Sequence, residues 1–262
     1  MRYFNILCIG LCVVCVALQS PLQAWYTENH QRIARAGLAQ LPTADREMLG
    51  ASLDSLANAY CMYPDWYRDV VRKKNKAMIA HYKPYVQLPL LEDLVSWHIT
   101  EDTDSETCFY IVSTLMQRAV THLQVGDTDQ AAQYMGSLVH FIEDNACPVH
   151  VIDNKLLADL HPIPERLKPF ILHRQVEEPT FPIDIRGYTP QILGTTIIDA
   201  AHAVYPRFRS NRKNARNQAA PILEAIYADN RTVADQYRAQ AAIPAAQLLA
   251  DVVHTICVLA SR

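Results

Sequence analysis

Glycine is nearly missing from this chain: seven residues in 262. Runs that alternate apolar and polar side chains are equally hard to find. A fold of β-hairpins therefore has little to turn on and little to pair. Neither sign of charge dominates, with a net charge of −3 at pH 7, so no overall field draws the protein onto nucleic acid or anionic lipid. Internal repeats, low-complexity linkers and shifts in composition are missing too, which excludes solenoids and leaves no boundary for a second domain. Beyond residue 24 no pair of cysteines has the C-x-x-C spacing of a thiolate zinc site. What remains is a chain half apolar by composition and long enough to bury one sizeable core.

The first 24 residues, MRYFNILCIGLCVVCVALQSPLQA, read as a secretory signal peptide. Arg2 supplies the charged region, residues 6–18 the apolar region, and Leu22-Gln23-Ala24 a cleavage edge. The apolar run is short for a membrane span, and Cys12 and Cys15 lack the residues expected before a lipidated cysteine. Cleavage after Ala24 gives a mature chain of residues 25–262 that starts at Trp25 and is secreted or periplasmic. Four cysteines stay with it: Cys61, Cys108, Cys147 and Cys257. In an exported protein they could form bridges in three pairings or remain buried thiols.

Apolar residues recur at spacings of three and four almost throughout, clearest over 108–125, 128–143, 190–204 and 245–260. Gly126-Asp127-Thr128 reads as a helix stop followed by a new start. The prolines of 83–89 and 161–169 mark loops or short extended pieces. Two basic runs, 72–76 (RKKNK) and 207–216 (RFRSNRKNAR), have the composition of solvated faces. The pattern predicts a single all-α domain.

The densest chemistry lies in HFIEDNACPVH, residues 140–150. His140 and Asp144 share one helical face, one turn apart. Pro148 ends the helix and lets the chain turn, so that His150 can point back toward them. These donors suit zinc, although a capped helix end carrying a His/Asp pair has the same spacing. Further candidates are His173 and Glu177 at a second i,i+4 spacing, Asp65 in MYPDWYRD, His98 in SWHITED, and His30 five residues after Trp25. Taken singly, His30 and His173 have a plainer use as partly buried helix histidines, and Asp65 as an N-cap.

A leading Trp25 with His30 nearby, PD-x-x-R from Pro64, H-x-x-x-D-x-x-x-x-x-H from His140 and H-x-x-x-E from His173 together resemble the zinc-dependent phospholipase C superfamily. Its other branch is the zinc nucleases that cut single strands. The resemblance runs from Trp25 to about Glu178, and the spacing of His140, Asp144 and His150 is its most specific element. It implies an all-helical fold of the phospholipase C type around three zinc ions. One zinc would be held by Asp65, His98, His140 and Asp144, and a second by His150, His173 and Glu177. The third would sit on the amino group and carbonyl oxygen of Trp25 with His30, Asp144 bridging to the first. Asp65 would also serve catalysis as base or orienter of the attacking water.

Four features depart from the family pattern or leave it open. Glu143 stands where relatives commonly carry glycine, and Cys147 where a polar residue is usual and a competing thiolate could arise. His98 is preferred to His81, and Glu177 to Glu178. Glutamate at the end of H-x-x-x-E points to a phospholipid substrate, whereas the short Trp25–His30 spacing points to single-stranded nucleic acid. Tyr63, Trp66, Tyr67 and Trp97 flank proposed ligands and could serve either. The reading is phosphodiester hydrolysis by metal-activated water, with phospholipase C first, a nuclease as the alternative, and a non-catalytic zinc-binding protein as the third possibility.

Overall fold

In the computed structural model, residues 25–66 and 105–262 are described. The leader, Tyr67, His81, Trp97, His98, the 72–76 basic run and the 83–89 prolines lie outside the described residues. Among the described residues the chain is helical with no strand, as the spacing of apolar residues predicts.

Three short helices come first: α1 (Thr27–Leu38), α2 (Thr43–Leu49) and α3 (Ser52–Asn58), followed by a 3₁₀ turn over Tyr60–Met62. Helices α4 (Ser105–Gln124) and α5 (Thr128–Asp144) form a hairpin. Its corner is Gly126, at φ +79°, followed by Asp127, whose carboxylate accepts the Gln130 amide of the new helix. The stop and start read from Gly126-Asp127-Thr128 are therefore both in place. A 3₁₀ turn over Pro148–His150 leads to α6 (Asn154–Leu160), and α7 (Leu172–Glu177) follows the proline-rich stretch. That stretch is irregular apart from one 3₁₀ turn, Glu165–Leu167.

Two long helices close the fold, α8 (Ile197–Tyr227) and α9 (Arg231–Ala260). The spacing of apolar residues predicts helix over 190–204. The helix instead begins after Thr196, whose hydroxyl accepts the Asp199 amide, and runs on through Pro206 and Pro221. Its buried stripe of Val204, Phe208, Asn211, Ala215, Ala219 and Ile222 continues unbroken across both prolines, so tertiary packing overrides the local break. The segment 190–196 is loop, tied to α9 where Tyr188 and the Gln191 amide donate to buried Asp251 and the Leu193 amide donates to Thr255. Helix α9 is long and apolar enough to cross a membrane, yet 72% of its apolar window is buried against the rest of the protein.

At the centre lies α5, buried at every residue from Ala131 to Asp144. Around it the apolar side chains form one continuous core. Two close approaches set its geometry. Gly37 of α1 faces α9, where a β-carbon would stand 2.3 Å from Leu249 Cδ1. Gly136 of α5 faces the Tyr60–Met62 turn, where a β-carbon would stand 2.5 Å from Tyr60 backbone atoms. Cys61, Cys108, Cys147 and Cys257 are buried free thiols, so none of the three bridge pairings forms.

Candidate metal centre

Helix α5 ends inside the protein on three ionisable side chains: His140, Glu143 and Asp144. Fully buried charged residues are rare unless paired or bound to a cation. Here they also stand at the negative end of the helix dipole, where two carboxylates are disfavoured and a cation is favoured.

His140 shares a helix face with Asp144, its Nε2 3.4 Å from Asp144 Oδ2. The ring is held from behind, because Nδ1 donates to the carbonyl of Cys61 at 2.7 Å. That carbonyl is within reach because Gly136, one turn earlier on the same face, lets the Tyr60–Met62 turn lie directly on α5. With the proton on Nδ1, the lone pair of Nε2 faces the carboxylates.

Helix α1 brings His30 in from the other side. Its ring stacks on His140 with centroids 4.5 Å apart, and its Nε2 lies 3.7 Å from Asp144 Oδ1. The Asp144 carboxylate thus turns one oxygen toward each histidine. The back of the His30 ring is held by Glu143, whose Oε2 is 2.6 Å from Nδ1. Burial, reinforced by His140, lowers the His30 pKa to about 3, so the ring is neutral across the ordinary pH range. Its Nε2 is buried and makes no hydrogen bond. Burial and then Asp144 push the Glu143 carboxyl well above the usual carboxylate range. With a cation on Nε2 the ring carries its proton on Nδ1 and donates it to Glu143, the carboxylate–histidine support common behind metal ligands.

Asp65 belongs to the helical stretch 63–66. It is fully buried, with Oδ1 3.7 Å from His140 Nε2, so it joins the cluster and is not a surface N-cap. Trp25 is buried at the head of α1 with its ring on Phe181, centroids 5.0 Å apart.

A second cluster gathers on Glu177 at the end of α7. His150 Nε2 is 3.2 Å from Glu177 Oε1, and His173 Nδ1 is 2.6 Å from the same oxygen. The buried thiol of Cys147 lies 3.8 Å from it. His150 therefore groups with Glu177 and Cys147 and does not complete the His140/Asp144 group, because the Pro148–His150 turn carries it past the end of α5. Burial, then Glu177, then Asp144 raise the Cys147 thiol pKa well above its ordinary value.

Three residues that the sequence did not single out hold α7 in place. Asn29, beside His30, donates to the carbonyls of Glu177 and Pro179 at 2.6 and 3.1 Å. Arg238 of α9 is almost wholly buried and donates to the carbonyls of Val176 and Gln175 at 2.9 and 2.7 Å. It thereby satisfies carbonyls at the C-terminus of α7, where a cation also suits the dipole. Asn154, the first residue of α6, meets His173 Nε2 at 2.9 Å. A buried amide, an arginine and a helix-start asparagine each have many commoner uses, so no spacing signalled these roles.

Among the described residues two groups of side chains have ligand atoms close enough to hold a metal ion: His30, His140 and Asp144, and Cys147, His150 and Glu177. The donors fit such an ion: His30 and His140 are held from behind by Glu143 and the Cys61 carbonyl with Asp144 facing both, and the second group offers a thiol, an imidazole and a carboxylate. Comparison with family models, with curated proteins and with solved structures finds no match for this chain.

Proposed function

We propose that the chain is an exported zinc-dependent phosphodiesterase with three zinc ions, a phospholipase C that hydrolyses the head-group phosphodiester of a phospholipid. The observation that carries this reading is the convergence of His30 and His140, from helices far apart in sequence, on the two oxygens of Asp144. His98 would complete the first zinc position with Asp65, His140 and Asp144. Removal of residues 1–24 would free the amino group of Trp25 to join His30 and Asp144. Glu177 and its histidine neighbours would hold the remaining ion. Zinc in these positions would supply a bound water acidic enough to ionise near neutral pH and positive charge facing the phosphoryl oxygens.

The chain's own part follows from its geometry. Asp144 bridges the two histidines, while Glu143 and the Cys61 carbonyl fix their rings. Asp65, buried beside His140, would orient the attacking water and take its proton. A lipid substrate is supported by apolar side chains left in solvent next to this chemistry. Leu156 and Leu160 lie one turn apart on α6, and Ile171 lies just before α7; they are 52%, 66% and 58% exposed. These elements also carry Asn154 and His173 of the second cluster.

The test is zinc content together with cleavage of a choline phospholipid and a single-stranded oligonucleotide, side by side, with and without chelator. Phospholipid cleavage that chelation abolishes and zinc restores is the expected result. Cleavage of the oligonucleotide alone would replace the lipid substrate by nucleic acid. Bound zinc with neither activity would mark a non-catalytic zinc protein.

A further inference from the structure

The resemblance assigns His150, His173 and Glu177 to the second zinc, but the distances single out a different trio. Two ligands on one tetrahedral zinc stand apart by about 3.3 Å when both are nitrogen or oxygen, and by about 3.6 Å when one is sulfur. His150 Nε2 and Glu177 Oε1 are 3.2 Å apart, and Cys147 Sγ and Glu177 Oε1 are 3.8 Å apart. Both pairs match common ligation. His173 Nδ1, at 2.6 Å from Glu177 Oε1, is at hydrogen-bond distance, too close for a second ligand on the same ion. Its other nitrogen faces the side-chain amide of Asn154, so both ring nitrogens are engaged by protein. The ligand atoms of Cys147, His150 and Glu177 also lie within 4.8 Å of one another, and His173 is not part of that group.

We infer that the second metal position is a Cys147–His150–Glu177 zinc site, with the Cys147 sulfur as a ligand and His173 as the residue that positions Glu177. This rests on the zinc reading above and changes its chemistry. On binding, the Cys147 S–H bond breaks, the proton leaves to solvent and a sulfur–zinc bond forms. A thiolate selects zinc over magnesium, calcium and manganese, which prefer oxygen donors. With these three ligands from the described residues, the fourth tetrahedral position can take water or a phosphoryl oxygen. His173 donates from Nδ1 to Glu177 and accepts from Asn154 at Nε2, and so holds the carboxylate oxygen toward Cys147 and His150.

Zinc X-ray absorption on the purified wild-type protein is the direct test and needs no variant. A sulfur scatterer at about 2.3 Å is expected, contributed by one zinc of the complement. It should vanish in Cys147→Ser and persist in Cys61→Ser, which removes a buried thiol outside this group. Cys147→Ser should release one zinc far more readily to a chelator. His173→Gln should keep both the sulfur scatterer and the zinc count while weakening that zinc by about 10–100-fold. A shell of nitrogen and oxygen alone, with Cys147→Ser binding zinc as wild type does, overturns the inference. So does His173→Gln if it loses a whole equivalent of zinc while Cys147→Ser keeps it. In both of those cases phosphodiesterase activity can survive, so the inference falls while the proposed function stands. A wild-type protein that binds no zinc would end both.

Discussion

His30 and Glu143 lie 113 residues apart, and their side chains meet at 2.6 Å in an interior closed to water. Glu143 stands behind the His30 ring, on Nδ1, while Asp144 lies near the other ring nitrogen. Glu143→Gln keeps the shape but replaces the carboxyl that meets His30 Nδ1 by an amide. The expected outcome is a loss of about 10–100-fold in affinity for one zinc, read by chelator competition, with helix content unchanged by circular dichroism. Unaltered affinity would show that Glu143 does not support His30.

Gly136 exists for contact. In Gly136→Ala the added methyl meets the Tyr60 backbone at 2.5 Å, so the Tyr60–Met62 turn has to move and take the Cys61 carbonyl away from His140. The expected cost is about 1–3 kcal/mol in denaturant unfolding, together with weaker metal binding. Wild-type stability would mean that the two segments can part freely.

Arg238 is buried and bound to two carbonyls of α7 and to Asp235 at 2.6 Å. Arg238→Met fills much of the space but leaves two carbonyls and a carboxylate without their donor. A loss of about 3 kcal/mol is expected. Because α7 carries His173 and Glu177, zinc bound at the second cluster should also come off more easily, although position 238 touches no ligand.

Removal of metal should destabilise the whole fold. A ligand present at 1,000 times its dissociation constant contributes about 4 kcal/mol, and here it would also neutralise Asp65, Asp144 and the end of α5. Chelation is expected to lower the melting temperature, and zinc should restore it. Identical melting curves with and without chelator would show that the two clusters hold themselves together.

The thiols give a check independent of activity. Burial first of all raises the pKa of Cys61, Cys147 and Cys257, and Cys108 is equally inaccessible. No fast-reacting thiol is expected among these four in the native protein, and all four should react on denaturation. A loss of free thiols in non-reducing denaturant would reveal a disulfide and contradict the structure.

Local periodicity made much of this molecule legible. The α4/α5 hairpin could be read because helical spacing and the stop-and-start at Gly126-Asp127-Thr128 are encoded within a few residues. For the same reason the His140/Asp144 and His173/Glu177 pairs could be read, since a regular helix brings i and i+4 together whatever surrounds it. The full length of α8 could not, because Pro206 and Pro221 oppose helix locally and only the stripe packed against α9 outweighs them.

Contacts between distant segments were settled by the tertiary structure alone. Nothing near Glu143 in sequence points to His30, nothing near Arg238 points to α7, and nothing near Gly136 points to the Cys61 carbonyl. Cys147 was visible as an oddity inside the ligand loop, but only its distance from Glu177 gave it a place. The sequence by itself determined that this chain is helical and which residue types could bind metal, because periodicity and donor chemistry are properties of neighbours along the chain. Which donors meet, and what stands behind them, was decided by packing α1 and α9 on α5 and α7 on the Pro148–His150 turn, because that brings together residues whose separation in sequence carries no trace of their contact.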